Sequence, residues 1–420
     1  MQRTSREQFL PIAIIGVLFF LFGFVTWLNG TLIPYLKIAC ELNNFQSYFV
    51  AFAFYIAYFV MALPSAWVLK RTGFKNGMML GLFVMAVGAL LFIPAANARE
   101  YPIFLTGLFI IGTGLSILQT AANPYITIIG PIESAARRIS IMGVCSKVAG
   151  ALAPLILGAV VLSDADAFMV SIEGVDEATR AERLNELASR VITPYSIMAG
   201  ALVLLGVFVK FSPLPEIEAE GESFQEDRWN DGRTIFSFPA LMLGVVALFL
   251  YVGAEVIAGD TIGNYGQSQG LPLSEAKHLT SYTMIAMVIG YLIGIATIPW
   301  LISQSKALML SAILGMILTA AAIILDGYAS VLCIALLGMA NALVWPAIWP
   351  LAIEGLGRHT RTGSALLIMA IAGGALLPLV YGKLADMSSI GPQQAYWILV
   401  PCYLFILWYS VKGARIKSWS

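Results

Sequence analysis

The chain has 420 residues, of which 59% are hydrophobic and only 11% charged, with 24 Lys and Arg against 24 Asp and Glu. Mean hydropathy is +0.84. A chain this apolar cannot cover its surface with charge in water, and its balanced charge offers no basic face for nucleic acid, so the composition is that of a protein that lives in lipid.

A helix crosses the hydrocarbon core with about 20 apolar residues. Twelve stretches qualify in chain order: 10–35, 46–69, 76–96, 102–129, 138–163, 192–212, 236–263, 276–301, 305–325, 329–355, 363–385 and 394–412. Lipid offers no partners to backbone N–H and C=O groups, so each stretch is predicted as a helix. The alternating pattern of a membrane barrel is absent. The first stretch is too long and too weakly flanked for a cleaved signal peptide, and reads as a retained span. The four cysteines (Cys40, Cys145, Cys333, Cys402) are scattered, with neither metal-ligand spacing nor a disulfide framework.

Polar residues interrupt a few of these spans. Span 1 carries Thr26-Trp27-Leu28-Asn29-Gly30, followed by Pro34. Lys70, Arg71 and Lys75 form a basic turn between spans 2 and 3 that serves topology and gating. Span 4 carries Gln119-Thr120-Ala121-Ala122-Asn123-Pro124, in which Gln119 and Asn123 share one helical face. Lys147 lies about nine residues into span 5 and has three open readings: snorkelling to the near surface, pairing with Glu255, or touching a substrate. Residues 164–191 show apolar positions at helical spacing and predict a short amphipathic helix between spans 5 and 6.

Residues 214–234 are acidic and polar, and read as a cytoplasmic linker between a bundle over 1–213 and a second over 235–420. Span 7 carries Tyr251-Val252-Gly253-Ala254-Glu255 and then Gly259-Asp260. Glu255 has no basic residue within reach on its own helix. A charge near a helix centre costs roughly 2.5–3.5 kcal/mol on insertion scales, so a carboxylate there must be protonated, paired or ion-bound. Asp260, about one turn further out, reads either as a second ion group or as a residue near water. Span 10 holds Asn341, Trp345-Pro346 and Trp349-Pro350, with Glu354 near Arg358 at its end as an ordinary ion pair. Lys383 and Asp386 close span 11 at the outer boundary.

With the N-terminus inside, sixteen Lys and Arg fall on the inner segments against six (Lys37, Arg99, Arg180, Arg183, Arg190, Lys277) on the outer ones. The positive-inside rule therefore places both termini in the cytoplasm. The halves also echo one another. GALAPLILG at 150–158 matches GALLPLVYG at 374–382, at equivalent points of spans 5 and 11, and Leu63-Pro64 in span 2 matches Ile298-Pro299 in span 8. Two parallel six-span repeats are the mark of a secondary transporter with its site at the midplane between them. Spans 1, 4, 7 and 10 repeat one theme: an amide or carboxylate, an aromatic ring, and a Gly or Pro that loosens the helix. Amides and carboxylates pair with hydroxyls, and rings stack on sugar CH faces. No Arg cluster suits a phosphate or dicarboxylate. Asn29 and Asn341 serve equally as interhelical hydrogen-bond partners, and Trp27, Trp345 and Trp349 as packing or interface anchors. The two histidines, His278 and His359, lie near span ends, and no catalytic group or metal set is seen.

At these motifs the chain resembles the fucose–proton symporter family of the major facilitator superfamily. The residues that carry the resemblance are Leu28-Asn29 with Leu32-Ile33-Pro34, Gln119 to Pro124, Tyr251 to Ala254, and GSALLIMAIAGGALLPLVYG in span 11. The resemblance implies two pseudo-symmetric six-helix bundles and rocker-switch alternating access. It also shows departures. Gly30 stands where fucose symporters have an Asp, and Gln119 where they have a Glu, the two acids implied in sugar recognition and protonation. Gln119 and Glu255 match the glucose/galactose branch instead, and an N-acetylglucosamine branch is related. Gly143, Ser146 and Lys147 replace the amides usual in span 5, so a fixed cation stands where sodium coupling would be expected. The expectation is a monomeric importer of a neutral hexose or N-acetylhexosamine in a bacterial inner membrane, with H+ or Na+ as coupling ion and no other cofactor. Sugar uniport and drug or metabolite efflux are the alternatives on the same scaffold. Asn29, Trp27, Gln119, Asn123, Asn341, Trp345, Trp349 and Lys147 are the candidate sugar contacts, and Glu255 and Asp260 the candidate coupling groups.

Overall fold

The computed structural model describes residues 5–128, 135–214, 234–298, 301–356, 359–416 and 418–419. Among them every regular element is a helix. Eleven apolar helical runs are long enough to cross a bilayer: Leu10–Ala39, Asn44–Ala98, Tyr101–Ala122, Ile141–Val161, Glu177–Phe211, Pro239–Asp260, Leu273–Thr297, Gln304–Ile324, Gly327–Ile353, Thr362–Ala385 and Gly391–Arg415. The second has 55 residues, about 82 Å at 1.5 Å per residue, against about 30 Å of hydrocarbon. It is two spans joined at Gly73, whose φ of 75° and ψ of 172° interrupt the helix. That backbone conformation is open to glycine and costly to any other residue. The break falls in the basic turn, where charged side chains meet the membrane surface, so the chain makes twelve crossings.

Three of the four spans with polar runs are broken at those runs. Span 1 consists of Ser5–Trp27 and Asn29–Ala39. Pro34 lies inside the second of these helices, where it removes an amide and crowds the Gly30 carbonyl four residues earlier. Span 7 ends at Asp260 and resumes as Ile262–Ser268. There the Thr261 hydroxyl donates back to the Ile257 carbonyl at 2.7 Å, a bond that bends helices. Span 10 consists of Gly327–Asn341 and Val344–Ile353, and Pro346 leaves the Ala342 carbonyl without its donor.

The packing repeats between the halves. Span 1 lies along span 5 as span 7 lies along span 11, spans 2 and 3 flank span 4 as span 8 flanks span 10, and span 3 meets span 6 as span 9 meets span 12. The closest approaches correspond as well. A Cβ on Gly23 would stand 1.7 Å from the Ser146 carbonyl oxygen, and one on Gly373 1.8 Å from that of Phe249. The halves touch through span 5 on span 8 and span 2 on span 11, again an equivalent pair. The expected linker lies, from 215 to 233, outside the described residues, as do Arg358 and with it the expected Glu354 ion pair.

The segment 164–191 departs from the single helix expected there. It forms two, Ala165–Ser171 and Glu177–Ser189, with Leu184, Leu187 and Ala188 of the second buried. Arg190 hydrogen-bonds Asp164 through both guanidinium nitrogens and holds that carboxyl below the usual carboxylate range. The turn Gly174, at φ 71°, separates the two helices and explains the difference.

Candidate substrate and ion site

The packing of span 5 on the other half brings charged residues of the two halves together. Lys147 of span 5 reaches Glu255 of span 7, Nζ to Oε1 at 2.6 Å, with side chains 14% and 10% exposed. The ammonium therefore points inward to the opposite half, which realises the pairing with Glu255 and speaks against snorkelling. It also lies 5.0 Å from the centre of the Trp27 ring, within cation–π range. Trp27 is buried in a slot that two glycines make. A Cβ at Gly150 would come within 2.5 Å of its ring, and one at Gly259 within 2.3 Å. Ala151, Met284, Met287 and Ala342 complete the slot.

A pair of unlike charges so placed needs no mobile counter-ion to neutralise Glu255, and its surroundings are aromatic. Tyr55, Tyr251 and Tyr291 lie within electrostatic range of the Glu255 carboxylate. Tyr251 sits 6.5 Å from Trp345, which stacks on Trp349 at 5.4 Å and 24°. This gives one connected series of rings running from the ion pair into span 10. The Tyr55 hydroxyl is buried without a hydrogen-bond partner among the described residues. The sequence marked Tyr251 as the aromatic of the span 7 run but gave Tyr55 and Tyr291 no role. The available signal was a phenol inside an apolar span, with Tyr251 one helical turn before Glu255.

The other candidates divide. Asn29 is 1% exposed, and neither its Oδ1 nor its Nδ2 has a partner among the described residues. A buried amide left unsatisfied costs free energy unless a ligand or water completes it. Asn341 is buried, and its Oδ1 accepts a bond of 3.0 Å from the Tyr403 hydroxyl, a contact between spans 10 and 12, while its Nδ2 is unpaired among the described residues. Gln119 is partly buried on span 4, and no described contact ties it to the ion pair. The Asn123 side chain lies outside the described residues. Asp260 is 0% exposed, which corrects the reading that placed it near water. Beyond Thr261 the chain packs on the second half of span 1 and on span 10, and Asn264 reaches Ser47 and Tyr48 at the start of span 2. Among the described residues no group of three or more His, Cys, Asp and Glu could hold a metal ion.

Comparison with known proteins agrees with this architecture. The sequence profile of the Major Facilitator Superfamily matches residues 15–379. The chain is 35% identical over 417 residues to a protein named glucose/galactose transporter from Brucella abortus biovar 1 (strain 9-941), covering 98% of this chain and 96% of that one. It is 29% identical to the L-fucose-proton symporter of Escherichia coli (strain K12), covering 99% and 94%. A crystal structure of the E. coli fucose:proton symporter superposes with a TM-score of 0.72 at 27% identity, over 98% of this chain and all of that one. Twelve crossings in two matching halves, a polar site between them and similarity along nearly the whole length together establish that this integral membrane protein belongs to the major facilitator superfamily of transporters and is no enzyme.

Proposed function

We propose that the chain is a secondary active importer of a neutral hexose or N-acetylhexosamine, working by alternating access and driven by H+ or Na+. The observation that carries the reading is the Lys147–Glu255 pair, which joins the halves among aromatic rings. A neutral polyol suits this pair. Its hydroxyls accept from the ammonium and donate to the carboxylate, so it can enter between the two charges without upsetting their balance. An anion would compete with Glu255 for Lys147, and a cation with Lys147 for Glu255. Trp27, Trp345 and Trp349 supply faces for sugar CH groups, while Asn29, Gln119, Asn123 and Asn341 supply amides. The relatives named for glucose/galactose and fucose transport support the substrate class. The protein acts as a monomer in a bacterial inner membrane with both termini cytoplasmic, in line with the excess of Lys and Arg on that face.

Uptake of glucose, galactose, fucose and N-acetylglucosamine into proteoliposomes tests this, with a pH or sodium gradient imposed in turn. Glu255→Gln abolishes concentrative uptake if the ion pair is the working site. Full accumulation by that variant with unchanged ion dependence would sink the assignment, and export of apolar compounds with no sugar uptake would sink the substrate class.

A further inference from the structure

We propose that Asp260 is the proton-binding group of the transport cycle, sealed under the face opposite the termini; this deepens the reading of the chain as a cation-driven importer and rests on it. Asp260 has no exposed surface, and both its carboxylate oxygens lack a hydrogen-bond partner among the described residues. The charged or titratable groups in electrostatic range are Glu255 on its own helix, and Tyr48 and Tyr55 on span 2. Glu255 is already held by Lys147. The neighbouring parts of spans 1 and 8 present Trp27 and Thr280, against Gly259, neither of which carries charge. An ionised Asp260 would thus be a buried charge with no partner, the arrangement that folded proteins avoid.

A proton resolves this without further ligands. A metal cation needs a shell of several oxygens, and the adjacent carbonyls are already engaged. The Gly259 carbonyl accepts from Thr280 at 2.7 Å and the Ala258 carbonyl from Thr283 at 3.3 Å. The two phenols in range of Asp260, Tyr48 and Tyr55, belong to the other half of the molecule. Tyr48 meets Tyr381 edge to face at 5.7 Å, fills the space a side chain at Gly382 would need, and accepts from Asn264 at 3.5 Å. Parting the halves on this side withdraws Tyr48 and Tyr55 and lets water reach Asp260. A proton then passes from that water to a carboxylate oxygen, giving a neutral carboxyl. Closure over the neutral acid buries no charge, whereas closure over the carboxylate buries one unpaired. The residue therefore makes closure of this face wait for a proton.

Infrared spectroscopy of the full-length protein tests this without a substrate. Wild type at neutral pH should show a protonated-carboxyl C=O band that Asp260→Asn lacks and Glu255→Gln keeps. In proteoliposomes, Asp260→Asn should lose sugar-evoked proton entry and accumulation while retaining sugar exchange in the absence of a gradient. Absence of that band in wild type at neutral pH overturns the proposal, as does an Asp260→Asn protein that still moves protons with sugar or a wild type driven by sodium alone. If none of the tested sugars is carried but the band is present and depends on Asp260, the sugar reading fails and the proton site stands.

Discussion

At the scale of single residues, the Lys147–Glu255 pair is the feature whose energetics are most open to measurement. Removing one partner of a buried pair leaves a charge unpaired, which costs about 3–5 kcal/mol, whereas removing both costs far less. The slight exposure of both side chains moderates the first figure. Lys147→Met should therefore lower the thermal unfolding midpoint in detergent clearly, and Lys147→Met combined with Glu255→Gln should recover most of the loss. Additive effects would show that the two charges do not interact. Both residues were legible in the sequence as charges in apolar surroundings. Their partnership was one option among three, because 108 positions separate them and only packing of span 5 on the other half makes them neighbours. Trp27 illustrates the same limit. Its indole is visible in the sequence, but the slot exists because Gly150 and Gly259, far apart in the chain, both omit a side chain there. Trp27→Ala empties that slot and should cost about 3–5 kcal/mol, as large-to-small changes in packed cores do. An unfolding midpoint equal to wild type would mean that the ring is not packed as described.

At the scale of elements, the spans themselves follow from hydropathy, because helix is the one local structure lipid permits. Some of their interruptions follow from proline and glycine: Gly73 marks the turn between spans 2 and 3, and Pro346 the break in span 10. The break in span 7 was legible only as glycines that loosen the helix; its place was not, since a threonine hydroxyl marks it by returning to Ile257, and threonines elsewhere make the same bond in continuous helices. The breaks have consequences for transport. Pro346→Ala restores a backbone bond worth having on its own, because an interior proline costs a helix about 3 kcal/mol or more. The variant should be at least as stable as wild type yet slower in sugar uptake, as Trp345 and Trp349 turn away from Tyr251. Uptake at the wild-type rate would show that the break has no part in shaping the site. The helix contacts are less forgiving. With the Ser146 carbonyl 1.7 Å from a Cβ at position 23, Gly23→Val forces spans 1 and 5 apart and should destabilise by about 1–3 kcal/mol, the range for overpacking, read as a lower unfolding midpoint.

At the scale of the whole molecule, contacts between the halves hold the face opposite the termini shut, and they come in two groups related by the internal repeat. In one, Asp386 at the end of span 11 accepts from the Asn44 amide at 3.1 Å, from Asn44 Nδ2 at 2.7 Å and from the Phe45 amide at 2.8 Å. In the other, Asp166 accepts from the Ser274 amide at 3.2 Å, and Lys277 donates to the Leu162 carbonyl at 2.6 Å. A transporter that takes substrate from this side must break both groups in every cycle, so each must be weak enough to yield. Hydrogen bonds to charged groups contribute about 1.5–3 kcal/mol each, and every 1.4 kcal/mol changes an equilibrium about tenfold. Asp386→Ala together with Asp166→Ala should therefore shift the population towards opening on this face by at least about tenfold. Asn264, buried beneath Tyr48, reports the change. With the four native cysteines replaced by Ser, a Cys at position 264 should react with a membrane-impermeant maleimide slowly on the closed protein and much faster when both aspartates are removed. Equal labelling rates would mean that the polar contacts only decorate a closure held by the apolar packing of Tyr48, Tyr381 and Tyr396, and the energetic case for an easily opened face would then rest on those rings.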